Sequence, residues 1–240
     1  MLPFDIIAFD ADDTLWHNER LYAGAQARFA QLLSHYHKPE WVNERLYQTE
    51  TRNIAHFGYG VKSFALSMIE TSIELTEGRI AGSDIQVIID IAREMLDTKM
   101  ELLEGVSETL TLLAQNQRLM LITKGDLLDQ ETKLERSGLG PCFKHIEVVS
   151  HKTRASYARL LERYAVQPAR FLMVGNSLRS DILPILELGG SAAHIPCEIT
   201  WLHEAAEPPP PDQIGYYRLE NMAQLPALLE LIEQTNAGAL

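Results

Sequence analysis

Three carboxylates, Asp10, Asp12 and Asp13, fall within four positions in the stretch DIIAFDADDTLW, directly before Thr14. The apolar run Ile6-Ile7-Ala8-Phe9 leads into them and reads as a buried strand that delivers polar residues to a loop. In an extended strand residues two apart share a face, which puts Asp10 and Asp12 side by side. Two unit charges about 4 Å apart repel by roughly 4 kcal/mol at an effective dielectric near 20. Turn and N-cap chemistry can use such acids, but gains nothing from that repulsion. A cation beside the pair, or a proton held by one member, would relieve it.

Other polar clusters follow later apolar runs. Thr123-Lys124-Gly125-Asp126, Ser150-His151-Lys152 and Gly175-Asn176-Ser177-Leu178-Arg179-Ser180-Asp181 each close a short β-type segment. In an open parallel sheet, ligands bind beyond the carboxyl ends of the strands, so these clusters are expected in one place. Together they hold a carboxylate able to attack phosphorus, a second acid for proton transfer, donors for phosphoryl oxygens and acids for a divalent cation.

The elements that must position them fall into two patterns. Residues 17–100 contain no convincing strand and read as four amphipathic helices, about 17–36, 39–58, 61–75 and from 83 onward, a small bundle with the character of a lid. From about residue 104 apolar runs alternate with helical segments, with strands expected at 119–123, 146–150, 171–175 and 192–196. GYYRLEN forms a candidate edge strand, and 225–233 a closing helix. The first strand needs parallel neighbours and therefore belongs to the later sheet. The expected fold is α/β: a Rossmann-like parallel sheet with helices on both faces, built from 1–16 and 101–240, with a four-helix cap inserted at 17–100.

The chain resembles the haloacid dehalogenase-like hydrolase superfamily in four places: DADDTL, similar to DxDx(T/V); Thr123; Lys152; and GNSLRSD, similar to GDSxxxD. The inserted helices match that superfamily's cap. The resemblance implies that Asp10 is a nucleophile forming an aspartyl-phosphate and that Asp12 protonates the leaving alcohol and then activates water. It implies that Thr123, with the following backbone N–H groups, binds phosphoryl oxygens, that Lys152 neutralises charge on Asp10 and the phosphate, and that Mg²⁺ is held by Asp10, the Asp12 carbonyl, Asn176 and Asp181. An oxygen-rich site suits that cation. Two positions depart from the pattern: Asn176 stands where Asp is usual, and Asp13 where Gly often stands, read here as a turn or capping residue. Lys124 is a candidate phosphate contact whose simpler reading, like that of Arg179, is a solvated surface cation; His151 reads as a loop residue. In HFGYGVK, Tyr59 and Lys62 are candidate leaving-group contacts, against the plainer reading of a helix–helix turn. Trp16, leaving the first strand, either lines the entrance or forms the hinge.

Composition narrows the partners. The chain has 240 residues, 46% of them apolar, and a net charge of −12 with no basic block, which argues against a nucleic-acid surface. Two cysteines, Cys142 and Cys197, give no disulfide framework and read as packing residues of a reducing compartment. No apolar stretch approaches a membrane span and no leader pattern opens the chain, so a cytoplasmic protein is expected. The expected activity is Mg²⁺-dependent hydrolysis of a small phosphorylated metabolite. Rivals are a phosphomutase or phosphotransferase using the same site, and a catalytically retired binding protein motivated by Asn176. A carbon–halide dehalogenase is disfavoured because that branch lacks the second aspartate. Oligomeric state is left open.

Overall fold

A computed structural model describes residues 3–199 and 201–238. The chain opens with β1 (Ile6–Phe9) and runs through α1 (Glu19–Leu32), α2 (Pro39–Phe57), α3 (Val61–Leu75) and α4 (Gly82–Asp97). It continues as α5 (Val106–Leu113), β2 (Leu119–Lys124), α6 (Leu127–Ser137), β3 (His145–Val149), α7 (Arg154–Arg163) and β4 (Phe171–Gly175). A wide π-type turn, Leu178–Ile182, leads into α8 (Leu183–Leu186), followed by β5 (Ser191–His194), β6 (Tyr216–Arg218) and α9 (Leu225–Gly238).

The chain divides into two compact units: residues 1–17, 100–124 and 133–240 form one, and 18–99 with 125–132 the other. In the first, six strands make a sheet in the order β3-β2-β1-β4-β5-β6, with every pair parallel. This is the Rossmann-like α/β core. β1 lies at its centre, with Phe9 in register with Leu121 on one side and Val174 on the other. Strands covered on both faces read as unbroken apolar runs, which is why β1, β2 and β4 stand out in the sequence. Their side chains alternate between two cores. Ile7, Phe9, Leu121 and Val174 pack with Val106, Leu110, Leu225 and Leu229. Ile6, Ala8, Met120, Ile122 and Met173 pack with Tyr157, Leu160, Ile182 and Ile185.

The helical unit has its own core, built on Phe29, Leu33, Leu46, Phe64, Met68, Ile88 and Ile91. Where the sequence suggests a boundary at 17–100, the unit also takes in 125–132, the entry into α6. A specific contact explains this: the Lys62 ammonium lies 2.8 Å from Asp126 Oδ1. Gly60, at φ +110°, comes so close that an added Cβ would sit 3.3 Å from the Asp126 backbone nitrogen. Among the described residues no helix is long and apolar enough to cross a membrane.

Candidate active site

The site begins where β1 ends. The Asp10 N–H donates to the Val174 carbonyl at 2.9 Å, which extends sheet pairing by one residue and fixes the backbone of the first carboxylate. The chain then folds tightly: the Thr14 and Leu15 N–H groups both donate to the Ala11 carbonyl, the Asp13 N–H donates to the Trp16 carbonyl at 2.8 Å, and Asp13 takes φ +60°. A short polar residue tolerates that left-handed conformation, so Asp13 serves as the turn residue expected of it.

This loop returns the Thr14 hydroxyl to Asp10, donating to Oδ2 at 2.9 Å. The other carboxylate oxygen, Oδ1, lies 2.5 Å from the Lys152 ammonium, which also reaches Asp181 Oδ1 at 2.8 Å. Lys152 comes from the end of β3, just before Thr153, whose side chain caps α7 in a reciprocal capping box with Ser156. Asp10, Lys152 and Asp181 are all buried. Burial pushes the Asp10 carboxyl up to about 7, although the adjacent ammonium pulls the other way. Burial alone would depress Lys152, but Asp10 and Asp181 together raise it above its ordinary value. Two carboxylates share one ammonium, so the cluster has an unbalanced negative charge when both are ionised.

Asp181 is seated by the close approach of Gly175, where any Cβ would collide with its carboxylate. Its Oδ2 accepts the Ser177 N–H at 3.0 Å. Both oxygens of Asp181 therefore serve Lys152 and the loop after β4, which places this residue behind the ammonium as its second anchor. Asn176 lies at the front of the same loop. Its N–H donates to Thr14 Oγ1 at 3.1 Å, and its Oδ1 stands 3.3 Å from that hydroxyl. Thr14 has one hydrogen to give, and the shorter bond to Asp10 takes it. The Asn176 amide nitrogen donates to Cys197 Sγ at 3.3 Å, so Cys197 helps orient the amide as well as filling space.

Asp12 is held by a separate pair of donors. Its Oδ1 accepts the Trp16 indole N–H at 2.7 Å, and the Lys133 ammonium lies 3.0 Å from Oδ1 and 3.3 Å from Oδ2. Trp16 is fully buried, which corrects the expectation that it lines an entrance: an indole sealed from solvent and bonded to Asp12 supports the carboxylate from within. Lys124 is not a solvated cation. Its ammonium pairs with Glu204, donates to Ser180 Oγ at 3.1 Å and lies 5.9 Å from the Trp201 ring centroid. Burial alone would raise Glu204, yet Lys124 and the hydroxyls of Ser177 and Ser180 hold it below the usual range. Arg179 donates to the His203 carbonyl at 3.1 Å, and His151 is exposed. Thr123 is buried at the end of β2. Lys62 is bound to Asp126 within the helical unit, and Tyr59 is half-buried between the two glycines.

Two contributors were not anticipated, Lys133 and Glu204. Lys133 sits in a helix whose inward positions carry Asp129, Gln130 and Lys133 while Leu127 and Leu128 are exposed. That inversion hides it from any reading of apolar periodicity. Glu204 lies beyond the last obvious strand, in a short turn, Leu202–Glu204. For a cation, the available donors are oxygens: Asp10 Oδ2 and Asn176 Oδ1 flank one hydroxyl, a set suited to a hard ion such as Mg²⁺. Among the described residues no group of three or more His, Cys, Asp or Glu side chains is arranged to hold a metal, so amide and backbone oxygens would have to complete the shell.

Comparison with known proteins gives the class. The family description "haloacid dehalogenase-like hydrolase" matches residues 4–189. The chain belongs to the haloacid dehalogenase-like hydrolases. It is 26% identical to the human N-acylneuraminate-9-phosphatase, over 95% of this chain and 94% of that protein. A haloacid dehalogenase-like family hydrolase from Xanthomonas campestris superposes over 100% of both chains, with 38% identity and a TM-score of 0.86. The HAD-hydrolase YfnB of Bacillus subtilis, determined bound to magnesium, shares the fold with a TM-score of 0.64 at 19% identity, covering 94% of this chain and 98% of that one.

Proposed function

We propose that this hydrolase is a Mg²⁺-dependent phosphatase that cleaves a small phosphate monoester through an aspartyl-phosphate on Asp10. The observation that carries the reading is the buried Asp10 carboxylate at the end of the central strand, with an ammonium 2.5 Å from one oxygen and a hydroxyl 2.9 Å from the other. Such a carboxylate is fixed in direction and has its charge supported as it attacks.

An Asp10 oxygen forms a bond to phosphorus as the ester P–O bond breaks, and the leaving oxygen keeps that electron pair and takes the proton of the Asp12 carboxyl. The Asp12 carboxylate then accepts a proton from water, whose oxygen attacks phosphorus, releasing Asp10 and inorganic phosphate. Lys152 offsets charge on Asp10 and on the phosphoryl oxygens, and Asp181 holds Lys152 in place. Thr123, at the end of the neighbouring strand, is the phosphoryl-binding hydroxyl of this reading. Lys124, paired with Glu204, serves to brace the loop that carries Asn176. Mg²⁺, held by Asp10, Asn176 Oδ1 and, following the family pattern, the Asp12 carbonyl, would supply positive charge to the phosphoryl oxygens. Tyr59 and Lys62 are proposed to influence the choice of leaving group from the helical unit.

The test is a screen of phosphorylated metabolites with Mg²⁺ present, headed by N-acylneuraminate 9-phosphate because the human relative is named for it. Release of phosphate by the wild type and none by Asp10→Asn is the expected result. Release that survives Asp10→Asn would overturn the mechanism.

A further inference from the structure

The mechanism asks Asp12 to hand over a proton in one step and to take one in the next, so its carboxyl must stay aimed at the same oxygen position throughout. An aspartate side chain free to rotate would divide its time among staggered wells. Here two donors from different elements converge on it. Trp16, at the far end of the tight loop, places its indole N–H 2.7 Å from Oδ1. Lys133, four helical positions beyond Asp129 on the inward face of α6, brings its ammonium to 3.0 Å from the same oxygen and 3.3 Å from Oδ2. Both are buried, with Trp16 at 0% and Lys133 at 8% exposure. Holding a lysine there is costly unless it is paired, and Asp12 is its partner across the sequence.

We propose that Lys133, together with Trp16, is a positioning residue that locks the Asp12 carboxyl in its proton-transfer orientation. The inference rests on the phosphatase reading above. Misplacement of such a group by an ångström can cost about a hundredfold in rate. The effect depends on the leaving group, since a phenolate departs without a proton and an alkoxide does not.

The experiment compares kcat/KM of Lys133→Met on 4-nitrophenyl phosphate and on the best alkyl monoester from the metabolite screen. The alkyl value should fall by about 10²-fold, within the usual range for loss of general acid catalysis, while the aryl value changes little. Because both esters are measured on one sample, their ratio is independent of the folded fraction. Lys133→Arg, which keeps a cationic donor, should recover most of the alkyl activity and provides a second variant if Lys133→Met yields no folded protein. Beryllium fluoride binding, which tests Asp10 and its surroundings, should be unchanged. Equal loss on the two esters, or loss on neither, would overturn the positioning role. If the wild type turns over both esters without any dependence on Asp10, the aspartyl-phosphate mechanism has failed, and if it turns over no phosphate ester, the phosphatase reading has; both results are visible separately from the behaviour of Lys133→Met.

Discussion

Asn176 is the residue at which this chain departs most from the family pattern, and replacing it with Asp restores the missing charge. The structure sets the size of the effect. Asn176 Oδ1 lies 3.3 Å, and Asp10 Oδ2 2.9 Å, from the same Thr14 hydroxyl, which bounds their separation at about 6 Å. Two unit charges at about 6 Å and an effective dielectric near 20 repel by about 3 kcal/mol. Above pH 7, where the Asp10 carboxyl is ionised, Asn176→Asp should therefore be destabilised without a divalent cation by about 3 kcal/mol, which is several degrees in Tm for a protein of this size. Added Mg²⁺ should reverse that loss and bind more tightly than in the wild type. The assay is a thermal melt across a Mg²⁺ titration, with the Mg²⁺ concentration for half-maximal phosphatase activity as a second readout. The half-maximal concentration should drop by one to two orders of magnitude, roughly the factor that 1.4–2.8 kcal/mol of the repulsion corresponds to. Identical melts and identical titrations for the two proteins would show that the cation does not meet residue 176, and the assignment of GNSLRSD as the metal loop would fall.

Asp181→Ala removes the second acceptor of a buried ammonium and leaves the Ser177 N–H unpaired, a loss of about 3–5 kcal/mol by analogy with other broken buried pairs. Denaturant unfolding should show it, with the isosteric Asp181→Asn costing less. In the helical unit, burial pushes Glu50 up to about 7 from an ordinary 4.5. The proton-bound form is thus favoured by folding, and its contribution, about 3 kcal/mol, is complete below pH 4.5 and lost as the pH rises through 7. Denaturation midpoints at pH 5 and pH 8 should show that slope in the wild type and a smaller one in Glu50→Gln, which should be the more stable protein at pH 8.

The strand ends were legible because the two-sided burial of β1, β2 and β4 writes itself as unbroken apolar runs, and polar residues at their ends have no packing reason to be there. The four cap helices were legible from their period. What the sequence concealed depends on contacts between distant segments. Lys133 is 121 positions from its partner Asp12, in a helix that buries polar residues and exposes two leucines. Trp16 follows a polar loop and looks like an entrance residue, yet its indole is committed to Asp12. Glu204 reaches Lys124 from an irregular stretch with no periodic signal, and Lys124 alone looked solvated. Asp181 reads as a cation ligand; its bonds to Lys152 and Ser177, from the seat that Gly175 provides, are contacts the local sequence does not encode. Likewise the 125–132 segment belongs with the helical unit because of Lys62 and Gly60, contacts that no local pattern encodes.

The central claim is that Asp10 carries the phosphoryl group. Acid quenching during steady turnover of the best substrate, followed by peptide mass spectrometry, should find one added phosphoryl group on the peptide containing Asp10 in the wild type and none in Asp10→Asn. Rapid turnover with no phosphoryl group on that peptide at any quench time, or solvent oxygen found in the Asp10 carboxylate in place of the released phosphate, would contradict it.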